Sequence, residues 1–201
     1  MNKLNRSDLL TLETYAERRD GYRAEVMAHK KNRQVALGPN ATLYFEDRIT
    51  MQYQVQEILR IERIFEVGAI EEELAAYNPL IPDGGNWKAT FMIEFEDETE
   101  RRAALRRLIG VERGIWVRVG AHPPVHPIAN EDLPRETEDK TSAVHFLRFE
   151  LSAEMIAAAK SGAEITIGVE HPAYTHATGV LPPAVAESLV ADLDAPRDAV
   201  H

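Results

Sequence analysis

The stretch WKATFMIEF, residues 87–95, is the part of the sequence that decides the fold. Apolar side chains occupy every second position of it, namely Trp87, Ala89, Phe91, Ile93 and Phe95. The intervening positions hold Lys88, Thr90, Met92 and Glu94. This period of two predicts a β-strand with one face against the core and the other face partly solvated.

More strands are predicted on both sides of this segment. Residues 34–46 alternate around the turn Gly38-Pro39-Asn40, which is typical of a hairpin. Apolar alternation also predicts strands at residues 114–119, 143–151 and 164–170.

Helical segments are predicted between the strands. Residues 48–66 contain no glycine or proline, and Gly68 follows at the position of a C-terminal cap. Residues 7–32 indicate a helix with a break at Asp20-Gly21. Shorter helices are predicted at residues 70–77, 98–109 and 153–160.

The order of these elements is not a regular strand–helix alternation. We therefore predict a single α+β domain over residues 1–201, with a mainly antiparallel or mixed sheet of about six strands and the long helix 48–66 packed on it. Residues from about 175 to 201 predict a weakly structured tail with one short helix, at about 183–193.

The composition excludes several classes of function. The chain has no cysteine, which removes disulfides, thiolate nucleophiles and cysteine-ligated zinc or iron–sulfur centres. Its net charge of −10 makes nucleic acid and anionic membranes poor partners. No apolar run reaches the about 18 residues that span a bilayer, and no secretory signal opens the chain, so a soluble, cytoplasmic protein is expected.

The distribution of charge leaves the oligomeric state open. Residues 1–33 hold eight Lys or Arg and five Asp or Glu, whereas residues 150–201 hold two and eight. Ends of opposite sign could favour a homo-oligomer, and ordinary solvated faces explain the same asymmetry.

Helix 48–66 supplies one set of candidate site residues. At 100° per residue Met51, Val55, Ile58, Ile61 and Phe65 share one side, and Gln54 and Glu62 fall on that side too. We expect these two polar side chains to point toward the core or an interface. Either Glu62 forms a structural ion pair with a neighbouring arginine, or it belongs to a ligand-binding set with Gln54, Arg60 and Arg63.

Two histidines supply a second set. His145 and His171 both fall on the apolar faces of their strands. Each could be a satisfied core histidine. If they meet Glu62, the three form a two-His, one-carboxylate site for iron or manganese.

Longer motifs resemble a known family. They are AHKKNR at 28–33, VALGPN at 35–40, FEDR at 45–48, QYQVQE at 52–57, RIERIF at 60–65, YNPLIPDG at 77–84, KTSAVHFLRF at 140–149 and HPAY at 171–174. Together they resemble the bacterial domain-of-unknown-function family 3501 over nearly the whole chain. The resemblance implies genes beside those of rubrerythrin-like di-iron proteins and iron–sulfur proteins, and so a role near iron-based redox or peroxide chemistry.

Three hypotheses follow, and the sequence does not decide whether the protein is an enzyme. The first is an accessory protein that contacts a rubrerythrin-like or iron–sulfur partner. The second is a metal-dependent enzyme or sensor that uses His145, His171 and Glu62. The third is a metal-free enzyme with Glu62 as general acid or base and Arg60 or Arg63 orienting an anionic substrate.

Overall fold

The computed structural model describes residues 2–195 and confirms the α+β class. Its helices are α1 (Leu12–Lys30), α2 (Arg48–Glu62), α3 (Val67–Tyr77), α4 (Glu98–Arg107), α5 (Ala153–Lys160) and α6 (Pro183–Val190). Its strands are β1 (Gln34–Ala36), β2 (Ala41–Glu46), β3 (Asn86–Ile93), β4 (Ile115–Val119), β5 (Ile128–Ala129), β6 (Val144–Glu150), β7 (Ile165–His171) and β8 (Tyr174–Ala177). None of the helices within residues 2–195 is long and apolar enough to cross a membrane.

The strands form two antiparallel sheets. The five-stranded sheet has the order β1-β2-β3-β6-β5, and the three-stranded sheet has the order β4-β7-β8. The alternating stretch 87–95 supplies most of β3, at the centre of the larger sheet, where Trp87 pairs with Phe149 and Phe91 pairs with His145. The antiparallel prediction is confirmed, with the strands divided over two sheets.

Two apolar clusters hold these layers together. The inner cluster joins the facing sides of both sheets to α4, α5 and α6. The second cluster lies among α2, α3 and the N-terminal segment, and includes Met51, Val55 and Leu59. The first turn of α2 meets the larger sheet at Glu46, which accepts hydrogen bonds from Thr50 (2.7 Å) and Thr90 (2.8 Å).

Helix α1 continues through the predicted break at Asp20-Gly21, so that prediction is wrong. Tertiary contacts hold the helix on both sides of the glycine. Tyr15 is fully buried and donates a hydrogen bond to Glu57 of α2 at 2.5 Å. The Tyr22 ring packs edge-on against Tyr15 at 5.9 Å. Together these contacts stabilise the helix by more than the roughly 1 kcal/mol that a glycine costs inside it.

Residues 175–195 are ordered rather than weakly structured, and the short helix predicted there is α6. Strand β8 pairs with β7, and Leu181, Leu189 and Leu193 are buried in the inner cluster. The Trp87 indole donates to the Leu189 carbonyl at 2.8 Å, which ties α6 to β3. Residues 196–201 of the predicted tail lie outside the described residues.

Candidate functional site

The C-terminal end of α2 and the residues that follow it expose two side chains of the predicted apolar side, Ile61 and Phe65. The helix ends at Glu62, where Arg63 adopts a left-handed conformation (φ 55°, ψ 49°) as the C-cap. Ile61 is 65 % exposed and Phe65 is 62 % exposed, so the side of the helix that they share does not face the core at this end. The buried face instead turns toward the N-terminal segment, because the Gln56 amide bonds the backbone of Leu10.

The predicted binding residues of α2 differ in exposure and in their partners. Glu62 is exposed, so its predicted core position is wrong, while its predicted role at an interface stays a prediction. Arg60 lies 3.5 Å from Glu57 rather than with Glu62. Gln54 is half-buried and Arg63 is exposed.

The carboxylate that is well paired on α2 is Glu57, which the sequence analysis did not single out. Arg19 forms two hydrogen bonds to it, both of 2.8 Å, and Tyr15 donates a third. The Arg19 guanidinium and the Tyr15 hydroxyl lower the pKa of Glu57 to about 2. Because all of its oxygens face donors of the same chain, Glu57 is a structural residue that joins α1 to α2.

The exposed residues at and just after this helix end are close in sequence, and together we call them the apolar–acidic surface. Its apolar part is Ile61, Phe65 and Val67, which are 65 %, 62 % and 53 % exposed. Beside it lies a groove of about 220 Å³, lined by Leu9, Leu12, Leu59, Ile64, Phe65 and Ile70 among others. Large side chains exposed together in this way mark interaction sites more often than isolated ones do.

The acidic part of this surface comes from the same stretch of the chain as the apolar part. Residues 61–73 contain one arginine, Arg63, and five glutamates, Glu62, Glu66, Glu71, Glu72 and Glu73. Burial, followed by the charges of Glu62 and Glu72, raises the pKa of Glu73. The neighbouring carboxylates therefore contribute to this rise, after burial.

A second polar centre surrounds His145 in the inner cluster. The imidazole is fully buried and lies beside the Phe91 ring at 6.2 Å. The Asn130 carboxamide oxygen accepts from the Phe146 N–H, which fixes the amide and directs its nitrogen to His145 Nδ1 at 3.0 Å. Nδ1 is therefore an acceptor, and the proton on Nε2 is donated to the Ser142 carbonyl at 3.0 Å.

This arrangement keeps His145 neutral. Burial lowers the pKa of His145, and the negative charge of Glu112 only partly opposes that effect. Asn130 holds a left-handed backbone conformation, with φ of 54°, in order to make these bonds. Such strain is characteristic of binding sites and also of tightly specified structural sites.

Glu112 lies next to this histidine and is 2 % exposed. Its Oε2 is 4.0 Å from His145 Nδ1 and is buried without a hydrogen-bond partner among the described residues. Its Oε1 lies 3.2 Å from the guanidinium of Arg113. The sequence gives no signal for Glu112, because this residue belongs to a short 3-10 turn, Val111–Gly114, where no helical or strand period places a side chain.

The predicted metal set of His145, His171 and Glu62 is wrong. Both His145 nitrogens are occupied within the core, and His171 Nε2 donates to the Ile109 carbonyl at 3.1 Å. Glu62 ends a helix whose buried residues belong to the other cluster. Across the described residues no group of three His, Cys, Asp or Glu is placed to hold a metal ion.

The last polar centre is a buried charge network. Arg33 is 2 % exposed and forms two hydrogen bonds to Asp192, of 2.5 and 3.3 Å. It also lies 3.3 Å from Asp47, which bonds His29 at 2.5 Å. The partners all belong to the chain itself and come from different elements. The network therefore fixes α1, β2 and the C-terminal segment relative to one another.

Comparison with known proteins identifies the family. A family model described as a protein of unknown function (DUF3501) matches residues 3–193, and the chain belongs to this family. A crystal structure of a protein of unknown function from Burkholderia pseudomallei is 52 % identical, with a TM-score of 0.91 over 96 % of this chain and 100 % of that chain. No curated protein matches the sequence.

Proposed function

We propose that the protein is an accessory protein that binds a partner protein through the apolar–acidic surface. The observation that carries this proposal is the exposure of Phe65, at 62 %, on a backbone that the Arg63 cap turns away from the helix. An exposed aromatic side chain next to a groove is the usual anchor of a protein interface.

The charge around Phe65 defines the chemistry of the partner. Five glutamates and one arginine in residues 61–73 favour a partner segment whose apolar side chains are flanked by Lys or Arg. Attraction of this kind speeds association and weakens with added salt.

The family resemblance suggests which partner to test first. It implies a rubrerythrin-like or iron–sulfur protein of a cytoplasmic iron-dependent redox or peroxide-stress system. Because this chain has no cysteine to hold a cluster, the partner would carry the electrons and this protein would act by contact.

Calorimetric titration against the rubrerythrin-like protein of the same organism tests the proposal. Phe65→Ser is expected to weaken binding about 30-fold, since an aromatic anchor contributes about 2 kcal/mol. Glu72→Lys is expected to weaken binding and to reduce its dependence on salt.

Val180→Ser is the matched control. Val180 is 54 % exposed, close to the value for Val67, and lies outside the apolar–acidic surface. Binding that Val180→Ser weakens as much as Phe65→Ser does would place the interface elsewhere. Absence of binding to both the rubrerythrin-like and the iron–sulfur protein would reject the proposed partners.

A further inference from the structure

The unpartnered oxygen of Glu112 points to a site of a different kind. Glu112 is 2 % exposed, and a buried carboxylate without compensation is costly. His145 Nδ1, which lies 4.0 Å from this oxygen, does not neutralise it, because that nitrogen accepts a hydrogen bond from the Asn130 amide. The remaining compensation comes from Arg113, whose own side chain is 62 % exposed.

Glu112 and Arg113 both line a cavity of about 510 Å³ between the 3-10 turn and the loop that follows β5. The other acidic side chains of its lining already face arginines. Glu136 accepts from Arg113, Asp132 from Arg135, and Glu131 from Arg148. Glu112 is therefore the carboxylate of this lining that has a buried oxygen without a hydrogen-bond partner.

The position of the Arg113 guanidinium shows what the cavity can accept. It lies 3.2 Å from Glu112 Oε1 and donates to Glu136 Oε1 at 2.8 Å, so one planar cation bridges two carboxylates. We propose that this cavity is a binding site for a guanidinium or alkylammonium group, and that the Arg113 side chain takes the place of that ligand in the structure.

Other ligand classes fit the cavity less well. Its described lining has no third His or acidic ligand placed for a metal ion, and Glu112 repels anions. Pro127, Ala129, Leu133 and Pro134 provide apolar walls suited to an alkyl chain. The same chemistry is offered by a free amine or guanidine and by an arginine side chain of a peptide.

Titration by two-dimensional amide NMR tests the site with two probes. These are methylguanidinium chloride and the peptide acetyl-Gly-Arg-Gly-amide, with sodium chloride as the ionic-strength control. We expect chemical-shift changes of the amide signals of Glu112, Asn130 and Glu136. A response to methylguanidinium indicates a small-molecule ligand, and a response to the peptide alone indicates an arginine of a partner.

Two substitutions should change the affinity in opposite directions. Arg113→Gln removes the internal competitor and is expected to tighten binding at least about threefold, whereas Glu112→Gln is expected to weaken it about tenfold or more. Glu138 is exposed and lies in the same loop, so Glu138→Gln should leave the affinity unchanged. A melting curve checks that Glu112→Gln is folded, and Arg113→Gln carries the test if it is not.

Three results would overturn the inference. They are shifts that sodium chloride reproduces, an Arg113→Gln variant that binds neither probe, and tighter binding of manganese than of either probe.

Discussion

Replacing Asp192 with Asn should destabilise the protein strongly, because it leaves the Arg33 cation buried without its main counter-charge. Arg33 and Asp192 are 2 % and 3 % exposed, and two hydrogen bonds join them. Breaking a buried pair from one side typically costs about 3–5 kcal/mol. Asp47, 3.3 Å from Arg33, keeps part of the compensation, so we expect the lower end, about 3 kcal/mol.

Urea unfolding followed by tryptophan fluorescence measures this change. Trp87 is a suitable reporter, because its indole bonds the carbonyl of Leu189 in α6. Glu98→Gln is the matched control, since it breaks the Arg102–Glu98 pair, whose side chains are 66 % and 71 % exposed. That change should cost less than about 0.5 kcal/mol.

A double substitution separates the charge from the packing. Arg33→Met with Asp192→Leu removes both charges and should recover most of the stability lost in Asp192→Asn. If Asp192→Asn lowers the free energy of unfolding by less than about 1 kcal/mol, the argument that this network anchors the C-terminal segment is refuted.

Two further predictions concern backbone strain and pH. Arg63→Gly should raise the free energy of unfolding by about 0.5–1 kcal/mol in the same urea assay, because glycine adopts the left-handed cap without steric cost. Because the pKa of His145 is lowered in the folded state, acidification below about pH 6.5 protonates the unfolded chain first and reduces stability. His145→Gln should flatten the dependence of unfolding free energy on pH in that range, and an unchanged slope would show that His145 is not the group responsible.

The sequence predicts the parts of the fold that local periodicity determines. The alternation in residues 87–95 locates β3, and the same signal places His145 on a buried face, where the structure confirms it. The apolar period along α2 misleads for Phe65, because the helix ends at Glu62 and the following residues take another direction.

Long-range pairing explains the remaining differences. Nothing in the C-terminal segment itself reveals that Asp192 pairs with Arg33, 159 residues earlier in the chain. Glu112 gave no signal, since its importance depends on His145 and Arg113 being brought to one place by different elements. Both sites arise from contacts between segments that are distant in the sequence. Such contacts leave no periodic pattern from which a single sequence would predict them.

The most direct test of the proposed function is a map of the contact surface. Hydrogen–deuterium exchange would be measured for this protein alone and in complex with the rubrerythrin-like protein. We expect slower exchange in residues 61–73 and in the Leu9–Leu12 wall of the groove. Protection confined to other regions, such as the edge strand β8, would contradict it.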